Sequence, residues 1–263
     1  MRAAVAWLIK HKTIFWALFM RDLSSRFGRH SVGFFWLILE PVIFATGVST
    51  MWSALRGPYE DGIRIVPFIL SGYLPMILMR HMINHSVGAV KNNSSLLYYR
   101  SVTPLHLIIA QSCIEFIGVT LAAVLIVLVY HWVGLMPLPQ RFSDMGYVYA
   151  GWLLLAWLSM ALGLVMASLA EIIEGVERVV HIATYLTVPI SGAFLMAQSM
   201  PPKYLSVSMS LPFIHEFELL RRGLFGASIG AMYDAPYAIS WCVGLTVIGL
   251  ALSKFVRDKV DVQ

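Results

Sequence analysis

From Ser31 to Leu55 the chain carries one charged side chain, Glu40, and no basic one, and the run is long enough to cross a bilayer. Similar apolar runs recur along the chain, and they constrain its fold more than any other feature. A backbone amide in hydrocarbon finds no water, so each run must satisfy its own hydrogen bonds as a helix. Six stretches qualify, at roughly 32–55, 65–89, 105–131, 147–170, 179–199 and 236–256. They are too long for strands. Composition agrees: 13% of residues are charged and 59% hydrophobic, whereas soluble domains carry about 25% charged residues. The expected fold is an all-α integral membrane protein, a single domain over residues 1–263 with short linkers.

Basic residues set the expected orientation. Arg2, Lys10, Lys12, Arg21, Arg26 and Arg29 precede the first run; Lys91 and Arg100 follow the second; Lys254, Arg257 and Lys259 follow the last. The positive-inside rule then places both termini in the cytoplasm. No cleavable signal peptide is expected, because the first apolar patch is short and ends at Lys10, His11 and Lys12. Residues 10–30 read as an interfacial amphipathic helix, with Trp16, Met20, Leu23 and Phe27 on one side and Asp22, Arg26 and Arg29 on another. The net charge of +5 is spread over span ends, so no nucleic acid is expected as a partner. Cys113 and Cys242 both fall in apolar runs, and no disulfide is expected.

No internal repeat is visible, which argues against a transporter built of two related halves. Six spans are few to enclose a path for a large solute. A second copy of the chain, with the path between the two, is the natural remedy.

Two spaced motifs open the chain: Arg21-Asp-x3-Arg26-Phe-Gly28, then Gly33-x2-Trp36-x3-Glu40-Pro41. Together they resemble the N-terminal segment of ABC-2 type transport permeases, especially exporters of capsular polysaccharide. Three further segments follow in that family's order. Residues 91–104 offer Asn92 and Ser95 as capping side chains, then Leu96, Leu97, Tyr98, Tyr99 and Arg100, closed by Pro104. An apolar knob exposed at the cytoplasmic face suits either a coupling helix inserted into an ATPase or a linker lying on lipid headgroups. The residues leave both open, and the resemblance favours coupling. Pro189 and Gly192 mark the run 179–199 as kinked or broken. Residues 201–232 then resemble the family's re-entrant outer-face helices. Glu218-x2-Arg221 matches the family's acid and base, and Leu211 stands where it usually has Asn. Glu218 also pairs easily with Arg222, four residues on.

The resemblance implies a homodimeric permease with two separate cytoplasmic ATPase subunits, which hold ATP and Mg; this chain is expected to hold no cofactor or metal. The implied cargo is a lipid-linked polysaccharide, leaving a Gram-negative inner membrane through a periplasmic co-polymerase adaptor and an outer-membrane channel. Arg21, Arg26 and Arg29 would meet the lipid linker or headgroup, and Trp36, Glu40, Phe44 and Tyr185 would line the path. Asn92, Ser95, Leu96, Leu97, Tyr98, Tyr99 and Arg100 would couple to the ATPase. Glu218, Arg221 and Arg222 would form an outer gate or dock a partner. Glu40 could equally be a structural acid at the Pro41 kink.

The chain has no G-x4-GK[ST] loop, so it cannot cradle nucleotide phosphates itself. It has no H-E-x2-H and no nucleophile motif. His81 and His85 have metal-ligand spacing, but no acid or cysteine accompanies them in sequence, so they read as core or interface histidines. Glu115 reads as a structural acid, and Glu171, Glu174 and Glu177 as a solvated turn. Export of O-antigen, teichoic acid or a small hydrophobic drug remains open, as does a membrane-embedded enzyme using Glu216 or Glu218 on lipid.

Overall fold

A computed structural model of the protein describes residues 2–27, 32–56, 59–60, 62–98, 101–139 and 141–260. Nine helices are present among them: α1 Arg2–Phe27, α2 Val32–Arg56, α3 Ile65–Ala89, α4 Pro104–Trp132, α5 Phe142–Ile172, α6 Val176–Leu186, α7 Pro202–Met209, α8 Phe213–Phe225 and α9 Ala235–Val260. A 3-10 segment, Lys91–Tyr98, follows α3. A hairpin of two-residue strands, β1 Tyr59–Glu60 and β2 Ile63–Arg64, joins α2 to α3, with Glu60 opposite Ile63. Hydropathy did not announce it, since strands this short carry no alternating pattern.

Among the described residues, four helices are long and apolar enough to cross a membrane: α3, α4, α5 and the Ala235–Arg257 part of α9. The first expected run falls on α2, where Val42–Leu55 is the apolar stretch of described residues. The fifth, 179–199, is not one helix. It starts as α6, ends at Leu186 and continues as turns to the short 3-10 piece Ala197–Ser199. Pro189 has no N–H to continue the ladder, and Gly192 takes a φ of +83°, which favours glycine. The leading helix begins at Arg2 rather than residue 10. Leu18 and Phe19 are buried, while Trp16 and Met20 face outward.

Helix α3 sits at the centre, with Phe68, Leu70, Leu78 and Met79 fully buried. Helix α5 packs on α3, α8 and α9. Between apolar helices in lipid there is no hydrophobic drive, so association rests on close packing through small residues. Gly151 of α5 shows this: a Cβ there would lie 2.8 Å from the Leu220 backbone nitrogen and 2.9 Å from the Glu216 carbonyl oxygen. The start of α4 is fixed locally, by Pro104 in its first turn and by the Thr103 N–H donating to His106 Nδ1 at 3.1 Å. Both cysteines are free.

Candidate functional site

A cavity of about 400 Å³ is lined by residues of α2, α3, α4, α6 and the turns after α6, among them Phe44, Tyr73, Arg80, His81, Tyr185 and Phe194. Phe44 stacks on Tyr73 with ring centroids 5.1 Å apart and planes 6° from parallel. The Arg80 guanidinium lies 3.7 Å from the Tyr185 ring centroid. Arg80 Nε is buried and makes no hydrogen bond among the described residues. Flat aromatic faces beside a cation suit a ring that carries an anionic group. Of the expected path residues, Phe44 and Tyr185 meet in this cavity. Trp36 and Glu40 lie on α2, but their side chains fall outside the described residues. Sequence reasoning passed over Arg80 and Tyr73. Arg80 carried a signal nonetheless, since a lone cation inside an apolar run must face protein or water.

Glu218 and Arg221 sit at the opposite end of α3 from the Lys91–Tyr98 segment, sealed in protein. Arg221 is 0% exposed and Glu218 1%. Arg221 donates through Nη1 to the Gly192 carbonyl at 2.7 Å, through Nη2 to the Ala193 carbonyl at 2.7 Å, and through Nε to Ser71 Oγ at 3.2 Å. Its Nη1 lies 3.5 Å from Glu218 Oε1. Glu218 accepts from the backbone N–H groups of Ala197 and Met232, each at 3.2 Å. The E-x2-R motif thus ties α8 to the unwound stretch after α6, to α3 and to the linker before α9. Gly72 makes this contact possible, because a Cβ there would sit 1.7 Å from the Ala193 carbonyl oxygen. Arg222 does not pair with Glu218. It donates to Asp144 Oδ1 at 3.3 Å and lies over the Tyr147 ring at 4.9 Å. In this conformation Glu218 and Arg221 offer no surface to a docking partner.

Glu216, also 1% exposed, makes no side-chain hydrogen bond among the described residues. Burial pushes its pKa up to about 8, on a helix too short to span. Both carboxylates, Glu216 and Glu218, are closed off from solvent in this structure.

The Lys91–Tyr98 segment differs from the expected knob. Leu96 and Leu97 are half-buried and pack among Leu18 and Phe15 of α1 and Leu107 and Ala110 of α4. Of the segment's apolar side chains Leu96, Leu97 and Tyr98, only Tyr98 stands free, at 91% exposed, beside exposed Asn92 and Ser95. Apolar groups that find a groove on their own protein fold into it instead of waiting for a partner. Tyr99 and Arg100 lie outside the described residues. Arg21, expected at a lipid headgroup, instead pairs with Asp22 and donates to Asn93 Oδ1, while Asn93 Nδ2 donates to the Ala89 carbonyl at 2.9 Å. The leading helix is therefore tied to the 3-10 segment. The Arg26 side chain and all of Arg29 fall outside the described residues.

One cluster gains a partner that the sequence did not reveal. An acid does accompany His81 and His85: Glu115 of α4, 3.5 Å from His81 Nδ1 and 3.2 Å from His85 Nδ1. Nothing in the linear order links them, because α3 and α4 meet only in the packed bundle.

Compared with known proteins, residues 13–225 match the model of the ABC-2 type transporter family. The chain is 34% identical to the capsule polysaccharide export inner-membrane protein CtrC of Neisseria meningitidis serogroup B, over 94% of this chain and 97% of that protein. It is 29% identical to the capsule polysaccharide export inner-membrane protein BexB of Haemophilus influenzae, over 94% of this chain and 92% of that one. It is 27% identical to the polysialic acid transport protein KpsM of Escherichia coli, over 90% of each chain. A match across 13–225, joined to relatives aligned almost end to end on a bundle of apolar helices, means that this chain belongs to the ABC-2 type transporter family.

Proposed function

We propose that the chain is the membrane-spanning subunit of an ATP-driven exporter that moves lipid-linked capsular polysaccharide across an inner membrane to the periplasm. The observation that carries this reading is the similarity to capsule polysaccharide export inner-membrane proteins over 94% of the chain. The cavity that joins Phe44, Tyr73, Arg80 and Tyr185 supports it, since stacked aromatic faces and a guanidinium together match a charged sugar chain.

On this reading two copies assemble with both termini cytoplasmic, each with six membrane segments and α1 lying at the interface. The polymer passes between the copies along α2 and α6. Arg26 and Arg29 meet the lipid headgroup. Two separate ATPase subunits hold ATP and Mg and press on the Lys91–Tyr98 segment through Tyr98. That push reaches α1 through Arg21 and Asn93, and α4 through Leu96 and Leu97. At the far end the Glu218–Arg221 node holds the outer gate until the bundle rearranges. A periplasmic adaptor and an outer-membrane channel receive the polymer.

The test is complementation. A host lacking its own permease of this class, but keeping the ATPase subunit of that exporter, receives this chain. Surface polymer should return, and a nucleotide-hydrolysing subunit should co-purify with the chain. A clean chain with no ATPase, or an ATPase complex that leaves polymer inside the cell, would sink the proposal.

A further inference from the structure

His81 and His85 are four residues apart on α3, so their rings project from one face, and Glu115 of α4 meets them there. One ligand atom from each of the three lies within 4.8 Å of the others. The carboxylate stands 3.5 Å from His81 Nδ1 and 3.2 Å from His85 Nδ1. A tetrahedral zinc ion with bonds of roughly 2.0–2.2 Å holds its ligand atoms about 3.3–3.6 Å apart, so the carboxylate already stands near ligand spacing from each imidazole.

We propose that His81, His85 and Glu115 bind one divalent transition-metal ion of the zinc class, tying α3 to α4 at the wall of the cavity. Three observations point to a ligand and not merely to an ion pair. His81 Nδ1 is buried and makes no hydrogen bond among the described residues, although it stands 3.5 Å from the carboxylate. Glu115 is 1% exposed, and Gln111 Nε2 donates to its Oε1 at 2.9 Å, the kind of outer hydrogen bond that orients a ligating carboxylate. His85 Nδ1 lies 3.0 Å from the His81 carbonyl oxygen. That backbone contact holds the ring with Nδ1 on the carboxylate side, 3.2 Å from Glu115 Oε1.

Access and selectivity follow from the surroundings. His81 lines the cavity of about 400 Å³, and His85 lines a second one of about 390 Å³ that reaches Asn84, Gly88 and Glu177. An ion can therefore arrive from water without crossing packed core. Two imidazoles and one carboxylate favour zinc, nickel or cobalt over magnesium or calcium, which prefer all-oxygen sets. Three protein ligands leave a fourth position for water. The site stands whether or not the chain carries polysaccharide.

The experiment uses the full chain, purified without a polyhistidine tag, stripped by chelator and titrated with zinc chloride against a fluorescent zinc indicator. We expect one zinc per chain and a rise in melting temperature on binding. Affinity should fall at least tenfold in His85→Ala and Glu115→Gln, and about 10- to 100-fold in Gln111→Ala. His85 is half-exposed, so its variant keeps the fold. His106→Ala, which breaks the separate His11 Nδ1–His106 Nε2 contact of 2.6 Å, should leave binding unchanged. No stoichiometric zinc in the wild-type chain would overturn the site. So would binding that survives His85→Ala or disappears with His106→Ala, and binding without a thermal shift would overturn the tie between α3 and α4.

Discussion

Arg221 holds the carbonyl of Ala193 at 2.7 Å, although 28 residues separate them. Where α6 ends, carbonyl groups lose their helical partners and need donors from elsewhere, because no water reaches them. The guanidinium fork supplies two at once, to Gly192 and Ala193, and leaves its Nε for Ser71. Glu218 balances the charge and collects two backbone N–H groups of its own.

This node should therefore govern stability. Arg221→Ala leaves Glu218 and two carbonyls buried without their partner and should cost about 3–5 kcal/mol. Arg221→Lys keeps the charge but cannot fork, and should fall between wild type and alanine. Thermal unfolding of the purified chain in micelles reads both, and an unchanged alanine variant would refute the role.

Gly72→Ala should also destabilise. Its Cβ would overlap the Ala193 carbonyl oxygen at 1.7 Å, a backbone atom that cannot move without disturbing the Arg221 contacts. Overpacking of this kind costs about 1–3 kcal/mol. The same melting experiment checks it against Gly146→Ala, an open helical position where alanine should not destabilise, and a Gly72→Ala chain as stable as that control would show that the stretch is soft.

Tyr98 and the Leu96–Leu97 pair should separate two effects. Tyr98→Asp changes an exposed side chain, so the chain stays folded while ATP hydrolysis by the proposed partner uncouples from export. Leu96→Asp and Leu97→Asp place carboxylates against Leu18 and Leu107, and should lower stability before they affect coupling. Size-exclusion profiles beside ATPase and export assays distinguish them. A Tyr98→Asp chain that exports normally would rule out docking at that residue.

Arg80→Ala should abolish export of an acidic polymer while leaving the melting temperature within a few degrees, since Arg80 Nε has no hydrogen bond to lose among the described residues. Arg80→Lys should retain part of the activity, as the charge remains but the stack on Tyr185 does not. Surface polymer, quantified per cell, is the readout; export that survives Arg80→Ala would remove the cavity from the path.

Glu216 predicts a pH slope. Its carboxyl holds a proton up to about pH 8 when folded, against 4.5 for the ordinary group. Between those values the folded chain binds more protons than the unfolded one, so stability falls as pH rises. The slope is at most about 1.4 kcal/mol per pH unit. Glu216→Gln should flatten it and raise stability near pH 8. Melting temperatures measured from pH 5 to 8 decide, and a slope that persists in Glu216→Gln would assign it to another group.

The amino-acid sequence by itself determined the kind of protein this is. Runs such as 65–89 and 105–131 can only be helices in hydrocarbon, and the break after α6 was written in Pro189 and Gly192. The family was legible too, in Arg21-Asp22, Glu40-Pro41 and Glu218-x2-Arg221, because spacing along a chain survives without coordinates. Partnership was not. Glu218 and Arg221 read as an outer gate or a docking site until packing buried them, and Leu96 and Leu97 read as an exposed knob until α1 and α4 offered them a groove. Arg21 turned from lipid to Asn93, and Glu115 joined two histidines that sequence had left without an acid. Each of these depends on which face of a helix meets its neighbour. Hydropathy fixes that a helix is apolar, but in lipid, with no hydrophobic drive to sort the faces, only close packing of the whole bundle decides its rotation.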